Sequence, residues 1–248
     1  MGSIAANLQA VRGRISSAAR AAGRDPAAVS LLAVSKTHAA ALIREAHAAG
    51  QRAFGENYVQ EAETKMASLA DLPLEWHLVG PLQSNKTRTV AERFQWVHTV
   101  DREKVARRLS EQRPHGLTPL EVLVQVNVSG EASKSGVAPQ DAAALARVVA
   151  KLPRLRLRGL MAVPEPTPDA GVQRARFAEL RRLYESLRRE GLALDTLSMG
   201  MSDDMEAAIA EGSTLVRIGT AIFGKRTTGA GESSAPLDPP AAMAKDTA

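Results

Sequence analysis

A lysine at the end of an apolar run is the first residue of this chain whose type and position could do chemistry. Lys36 ends the stretch LLAVSK at residues 31–36, and strand alternation places it on the same face as Leu32 and Val34. Burial disfavours an ammonium group, so a lysine in such a place becomes a nucleophile toward carbonyl compounds. The alternative is structural: the side chain reaches past the strand to water or pairs with a carboxylate such as Glu56.

The segment STLVRIGTAIFG at residues 213–224 carries a second set of groups. Gly219 allows close approach to the backbone and Thr220 adds a hydroxyl and an amide, as in a phosphate site before a short helix. A simple turn with a helix N-cap explains the same two residues. Arg217 shares the face of Leu215 and points toward the same interior as the lysine. A buried arginine needs an acceptor, which is either a ligand or a structural salt bridge.

Ser202 precedes two acids and a helical pattern. This order predicts that Ser202 is a helix N-cap with Asp203 and Asp204 in the first turn. The functional alternative is that the hydroxyl and amide of Ser202 bind a phosphate beside Gly219 and Thr220.

Composition and motifs exclude several classes of function. The chain has no cysteine, and its five histidines are not at metal-ligand spacing, so no metal site is predicted. Neither a Gly-x-Ser-x-Gly elbow nor a Gly-x-Gly-x-x-Gly fingerprint occurs. The net charge is +5 with aromatic residues at 3%, and arginines alternate with glutamates over residues 173–190, which argues against nucleic-acid binding. Without an apolar signal or membrane-spanning run, we expect a cytoplasmic protein that does not enter a membrane.

Eight short apolar runs alternate with helical patterns after a first helix at residues 3–22. Strict alternation of strand and helix implies a parallel sheet, and eight units predict a single (β/α)₈ TIM barrel with an extra N-terminal helix. An open doubly wound sheet is the alternative. In a barrel, the residues that bind or react lie at the carboxyl ends of the strands. The predicted strands are 30–36, 52–56, 74–80, 95–100, 120–128, 156–163, 194–200 and 214–220.

A strand-end lysine, a phosphate loop after the last strand and an arginine beside it together suggest pyridoxal 5'-phosphate, held as a Schiff base. With these residues in view, the chain resembles the pyridoxal phosphate homeostasis protein family over about residues 5–226. One departure is His38-Ala39, where many members have another lysine or a bulky residue and then proline. The matching stretches are LLAVSKT (31–37), FGENYVQE (54–61), EWHLVGPLQSNK (75–86), NVSGEASKSG (127–136), RLRGLMAV (156–163) and LSMGMSDDMEAAIAEGSTLVRIGTAIFG (197–224).

The resemblance implies a barrel related to the N-terminal domain of alanine racemase. It implies that Lys36 forms an internal aldimine with pyridoxal 5'-phosphate and that Asn57 lies near the cofactor. It further implies that Arg217 hydrogen-bonds the pyridine nitrogen, while Ser202, Gly219 and Thr220 hold the phosphate. Because arginine keeps its proton in proteins, that nitrogen would stay largely unprotonated and the ring would be a weak electron sink.

We therefore expect a non-catalytic protein for pyridoxal phosphate homeostasis, which stores or delivers the cofactor and limits its free concentration. Residues 1–226 would form the cofactor-binding barrel, and residues 227–248, rich in Gly, Ser, Pro and Ala, a disordered C-terminal tail. We expect a monomer whose possible partners are pyridoxal-phosphate-dependent apo-enzymes.

The main alternative is an amino-acid racemase on the same barrel. That activity would require a second, β-rich domain and a tyrosine base, whereas Tyr58 and Tyr184 lie in helical patterns and only the short tail follows the barrel. A third hypothesis is a sugar-phosphate aldolase that uses Lys36, but it does not explain the presence of Arg217.

Overall fold

Eight parallel strands form a closed barrel, in which each strand pairs with the next and β1 pairs with β8. The computed structural model describes residues 2–131 and 135–224. The predicted (β/α)₈ architecture is confirmed, and the open sheet is excluded by the pairing of the first strand with the last. The strands are β1 Ser30–Val34, β2 Ala53–Glu56, β3 Glu75–Leu78, β4 Trp96–Val100, β5 Leu120–Gln125, β6 Leu155–Met161, β7 Thr196–Ser198 and β8 Leu215–Ile218.

The extra N-terminal helix, α1, is present at Ile4–Ala21, and the Oγ of Ser3 caps it by accepting from the backbone N–H of Ala6 at 3.2 Å. Its apolar residues recur at helical spacing and are buried, so the helix packs along one stripe. It lies against the last two helices of the barrel and α2. The other helices are α2 Ala40–Ala48, α3 Val59–Ser68, α4 Thr87–Arg93, α5 Glu103–Gln112, α6 Pro139–Val149, α7 Ala170–Arg189, α8 Met205–Ala210 and α9 Thr220–Phe223.

The two faces of the barrel wall bury different kinds of side chain. Outward residues such as Val97 and Val122 join the large apolar core shared with the helices. Inside the barrel, Trp96, Leu123 and Met161 form a separate small cluster. Polar side chains also lie in this interior, up to the carboxyl ends of the strands.

The predicted boundary between a barrel and a C-terminal tail lies outside the described residues. Among the helices that are described, none combines the length and the apolar character needed to cross a bilayer.

Candidate functional site

A cleft of about 630 Å³ opens at the carboxyl ends of the strands. All six residues singled out from the sequence line it, although they come from four separate parts of the chain. Their roles toward a ligand remain predictions. The lining residues are Arg14, Val34, Lys36, His38, Asn57, Val79, Val163, Met201, Ser202, Asp203, Arg217, Gly219, Thr220 and Ala221.

Lys36 lies two residues beyond β1, in a turn whose backbone is tightly specified. Its neighbour Thr37 has φ 63°, the left-handed region that costs a β-branched residue energy. The backbone N–H of Thr37 donates to Glu61 Oε1 at 2.5 Å, and its hydroxyl donates to the Lys36 carbonyl at 2.6 Å. These bonds hold the backbone of the turn that carries Lys36, whose side chain is half-buried.

A buried ion-pair network lies behind this turn. The ammonium of Lys65 donates to the Ser35 carbonyl at 2.7 Å, to Glu56 Oε1 at 2.7 Å and to Glu61 Oε1 at 2.6 Å. Ser35 Oγ also donates to Glu56 Oε1, at 2.6 Å. Glu56, which the sequence offered as a partner for Lys36, therefore pairs with Lys65 between β2 and α3. Burial raises the pKa of the Glu56 carboxyl, and the nearby Lys65 opposes that shift.

Arg217 is buried at the inner end of the cleft. Its Nη1 donates to the Ser198 carbonyl and to Ser198 Oγ, both at 2.7 Å, and its Nη2 donates to the Ala162 carbonyl at 2.8 Å. Within the described part of the chain, these bonds use three of the five guanidinium N–H groups. Burial lowers the pKa of Arg217 to about 10, so the group remains a cation at neutral pH.

Two glycines allow backbone segments to approach closely around the cleft. A Cβ on Gly80 would lie 2.6 Å from the Cα of Asn57, and a Cβ on Gly219 would lie 2.9 Å from the Val34 carbonyl oxygen. Real Cβ atoms do not tolerate such contacts, because they violate van der Waals packing. Asn57 and the start of α9 can therefore occupy these positions only beside glycine.

The prediction that Ser202 caps a helix is wrong. The N-cap of α8 is Asp204, and Ser202 lies in the turn before it. The shift arises because Asp204 Oδ1 accepts the Met201 backbone N–H at 2.6 Å, so residues 201–204 form a turn and the helix begins after it. Burial raises the pKa of the Asp204 carboxyl. Gly219, by contrast, is the N-cap of α9, as the sequence indicated.

Arg14 is a lining residue that sequence reasoning missed. It extends from α1, donates to the Ser202 carbonyl at 3.2 Å and pairs with Glu206 at 2.8 Å. No local signal separated it from the other arginines, since its place at the cleft depends on how α1 packs against α8.

The expectation for the histidines concerned metal ligands. In the part of the chain that the structure describes, no group of three or more histidines and carboxylates could hold a metal ion. His77 and His98 are both buried and hydrogen-bonded to one another. His77 is therefore a core histidine with both ring nitrogens hydrogen-bonded.

The fold and the site together define a barrel of the alanine racemase N-terminal class. The family described as "Alanine racemase, N-terminal domain" matches residues 6–227. Alanine racemase of Corynebacterium glutamicum shares the fold, with a TM-score of 0.66 and 19% identity over 90% of this chain and 63% of that chain.

Within this class, the chain is similar to proteins named pyridoxal phosphate homeostasis protein. The one from Pseudomonas aeruginosa is 67% identical over 93% of this chain and 99% of its own length. The Escherichia coli K12 protein is 55% identical over 91% of this chain and 98% of its own length. PipY of Synechococcus elongatus, solved with PLP bound, has a TM-score of 0.77 and 41% identity, covering 89% of this chain and all of PipY. The chain therefore belongs to the pyridoxal phosphate homeostasis protein family, as the sequence motifs indicated.

Proposed function

We propose that this protein binds pyridoxal 5'-phosphate as a Schiff base on Lys36 and serves in the homeostasis of that cofactor, with little turnover of its own. The observation that carries the proposal is the convergence of an amine, a buried guanidinium and a short helix that begins after a glycine on one cleft. PipY, a relative with PLP bound, supports the choice of ligand. We also expect the protein to act as a monomer.

The residues of the cleft fit the chemistry of this ligand. When bound, pyridoxal phosphate supplies an aldehyde that condenses with amines and a ring that withdraws electrons. Lys36 provides the amine, and the N–H groups of Arg217 that are not used inside the barrel can meet the ring nitrogen. The backbone at Gly219, together with Thr220 and Ser202, would hold the phosphate, and the absence of a Cβ at position 219 leaves room for it.

Two features support a low catalytic activity. Arg217 is a cation that donates hydrogen bonds, so it does not favour protonation of a ring nitrogen beside it. Neither described tyrosine lines the cleft: the Tyr184 hydroxyl donates to the Leu194 carbonyl, and Tyr58 is 59% exposed outside the cleft lining. A tyrosine base of the racemase kind is thus missing from the described lining, and such a base is worth about 10²–10⁴-fold in rate.

The first experiment asks whether Lys36 carries the cofactor. Purified protein loaded with pyridoxal phosphate should be yellow, and borohydride should fix the cofactor to the peptide that contains Lys36. Lys36→Ala should lose the colour while keeping weaker, phosphate-anchored binding, and Lys104→Ala, an exposed lysine on α5, should behave as wild type. Colour retained in Lys36→Ala would refute the assignment.

A second experiment separates delivery from catalysis. The loaded protein is mixed with a pyridoxal-phosphate-dependent apo-enzyme and an excess of a scavenger for free cofactor. Reactivation of the apo-enzyme despite the scavenger is the expected result, whereas a complete block would contradict direct delivery. Racemisation of alanine by the same preparation at about 1–10³ s⁻¹, the usual range for enzymes, would contradict the non-catalytic role.

A further inference from the structure

A continuous chain of hydrogen bonds runs through the barrel interior from the cleft to the opposite end of the strands. Arg217 Nη1 donates to Ser198 Oγ at 2.7 Å, and Ser198 Oγ lies 2.9 Å from His98 Nδ1. His98 Nε2 lies 2.9 Å from His77 Nδ1, and His77 Nε2 lies 2.7 Å from Glu75 Oε1. We name these five residues the interior relay. It joins the cation at the cleft to a carboxylate at the first residue of β3.

The chemistry of the two ends fixes the direction of every bond between them. A guanidinium only donates, so Ser198 Oγ accepts from Arg217 and its own hydrogen is available to His98 Nδ1. His98 then carries its proton on Nε2 and donates it to His77 Nδ1. His77 in turn carries its proton on Nε2 and donates it to the carboxylate of Glu75. Each intermediate group accepts one bond in the chain and donates one.

The reverse order leaves an unfavourable contact. If His98 donated from Nδ1 to Ser198, its Nε2 would have to accept from His77 Nδ1. The unprotonated Nε2 of His77 would then face a carboxylate oxygen at 2.7 Å, and two lone pairs would meet. The bond from His77 lowers the pKa of the Glu75 carboxyl, so Glu75 is ionised and its oxygen must accept.

The surroundings hold both rings in place and keep them neutral. His77 stacks on Trp96 with a centroid distance of 5.2 Å and an interplanar angle of 5°, and it is 1% exposed. Burial lowers the pKa of both imidazoles, and the positive charge of Arg217 lowers the pKa of His98 further. A buried, neutral imidazole that is bonded on both nitrogens has one stable tautomer.

We propose that Ser198, His98 and His77 are positioning residues that fix the orientation of Arg217 and couple it to the charge of Glu75. Ser198 occupies both N–H groups of Nη1, and the Ala162 carbonyl accepts one N–H of Nη2. The second N–H of Nη2 and the N–H of Nε then remain for a ligand in the cleft. If the proposed function holds, the relay sets how Arg217 meets the cofactor ring. It then tunes the proton affinity of the Schiff base from the far end of the barrel.

The first test requires no cofactor. Nitrogen NMR of the unloaded, ¹⁵N-histidine-labelled full-length protein should show both His77 and His98 with the proton on Nε2 and an unprotonated Nδ1. His77→Gln and His98→Gln, each removing one set of signals, assign them. A protonated Nδ1 on either ring at neutral pH would overturn the relay, whether or not the protein binds pyridoxal phosphate.

Substitutions of Glu75, the carboxylate at one end of the interior relay, test the direction of its hydrogen bonds. Glu75→Gln keeps an oxygen that accepts from His77 Nε2, so the tautomers should stay unchanged. Glu75→Leu removes the acceptor, and His77 should then populate both tautomers. Equal spectra for the two variants would contradict the direction assigned to the relay.

The coupling to the cofactor is tested with a pair of buried serines. Ser198→Ala removes the link between Arg217 and His98, whereas Ser213→Ala removes a buried hydroxyl that donates to the Met199 carbonyl outside the relay. In the loaded protein, the midpoint of the pH-dependent Schiff-base absorption should fall by about one pH unit in Ser198→Ala, the effect of one lost hydrogen bond to a charged group. It should not move in Ser213→Ala.

The outcomes of the two measurements are separable. Unchanged absorption in Ser198→Ala, with the tautomers as assigned, would overturn the coupling. An unloaded protein with the expected tautomers that never binds pyridoxal phosphate would refute the proposed function and leave the relay itself supported.

Discussion

Lys65 is a buried cation behind the turn of Lys36, where it donates to the Ser35 carbonyl and to Glu61, the carboxylate that accepts the Thr37 N–H. Its side chain is 7% exposed, and it compensates Glu56, which is fully buried. We expect Lys65→Met to lower the free energy of unfolding by about 3–5 kcal/mol, because it leaves a buried carboxylate without its partner. Urea unfolding monitored by circular dichroism measures this loss. The exposed Lys104→Met is the matched control and should change stability by less than about 0.5 kcal/mol.

The stability of Lys65→Met should also depend on pH differently from that of wild type. Without Lys65, the pKa of Glu56 in the folded state is raised further above its unfolded value. A group of this kind contributes stability below its unfolded pKa, and the contribution is lost as the pH rises through the folded pKa. The free energy of unfolding of Lys65→Met should therefore approach that of wild type as the pH falls from 7 toward about 4.5. A difference in unfolding free energy that does not change with pH would show that Glu56 is not the carboxylate that loses its partner.

The two histidines of the interior relay predict a stability loss in mild acid. Burial lowers the pKa of both His77 and His98, so the folded state binds fewer protons than the unfolded chain. The stability that they contribute is present above about pH 6.5 and is lost as the pH falls below it. The charged groups nearest to them are Glu75 and Arg217, with Arg158 across the Trp96 ring.

Measurement of unfolding free energies between pH 7.5 and 5.5 checks this slope. The variant that combines His77→Gln with His98→Gln should be less stable at pH 7.5, but its stability should change less over the interval. An equal slope in the variant and the wild type would assign the pH dependence to other groups.

At the scale of elements, the contact between α9 and β1 shapes the cleft. Gly219→Ala places a Cβ against the Val34 carbonyl, so the start of α9 must move away from the end of β1. We expect a stability loss of about 1–3 kcal/mol from overpacking. We also expect pyridoxal phosphate affinity to fall about tenfold or more. Fluorescence titration measures the affinity, and Gly116→Ala, where a Cβ meets nothing within 4 Å, should bind as wild type.

Helix α1 contributes to the cleft through Arg14, which contacts the turn at Ser202. Arg14→Ala should weaken pyridoxal phosphate binding about two- to fivefold, because one cation near the expected phosphate is lost. Its partly exposed pair with Glu206 is worth less than about 1 kcal/mol, so the fold should remain intact. Arg20→Ala on the same helix is the control, and equal affinities for the two variants would exclude Arg14 from the binding site.

For the whole molecule, ligand binding and folding are linked. A cofactor held at 100 times its Kd stabilises the folded state by about 2.7 kcal/mol. Thermal unfolding should therefore shift upward with added pyridoxal phosphate, and less with pyridoxine phosphate, which has no aldehyde for Lys36. In Lys36→Ala the two compounds should act alike. A larger effect of the aldehyde in that variant would indicate another reactive amine.

Most of the architecture and part of the site could be predicted from the sequence. The two-residue alternation of strands identified the face of Arg217, because this signal is local. For Lys36 the predicted strand 30–36 ran two residues too far, since β1 ends at Val34 and Lys36 lies in the turn that follows. Arg14 and Lys65 were missed, since their roles depend on contacts between segments that are distant in the chain. The cap at Ser202 was misplaced by two residues because an equally short-range competitor, the carboxylate of Asp204, accepts the Met201 N–H and closes a turn before the helix.

The pairing of β1 with β8, which closes the barrel, lies directly under the cleft. Lys36 follows β1, whereas Arg217 belongs to β8 and Gly219 follows it. During translation, Lys36 leaves the ribosome early, whereas β8 is made only near the end. The amino-terminal part of the chain is already folding by then. If the proposed function holds, the complete cofactor site exists only after β8 has paired with β1, so the yellow colour of the bound vitamin would report that the barrel has closed.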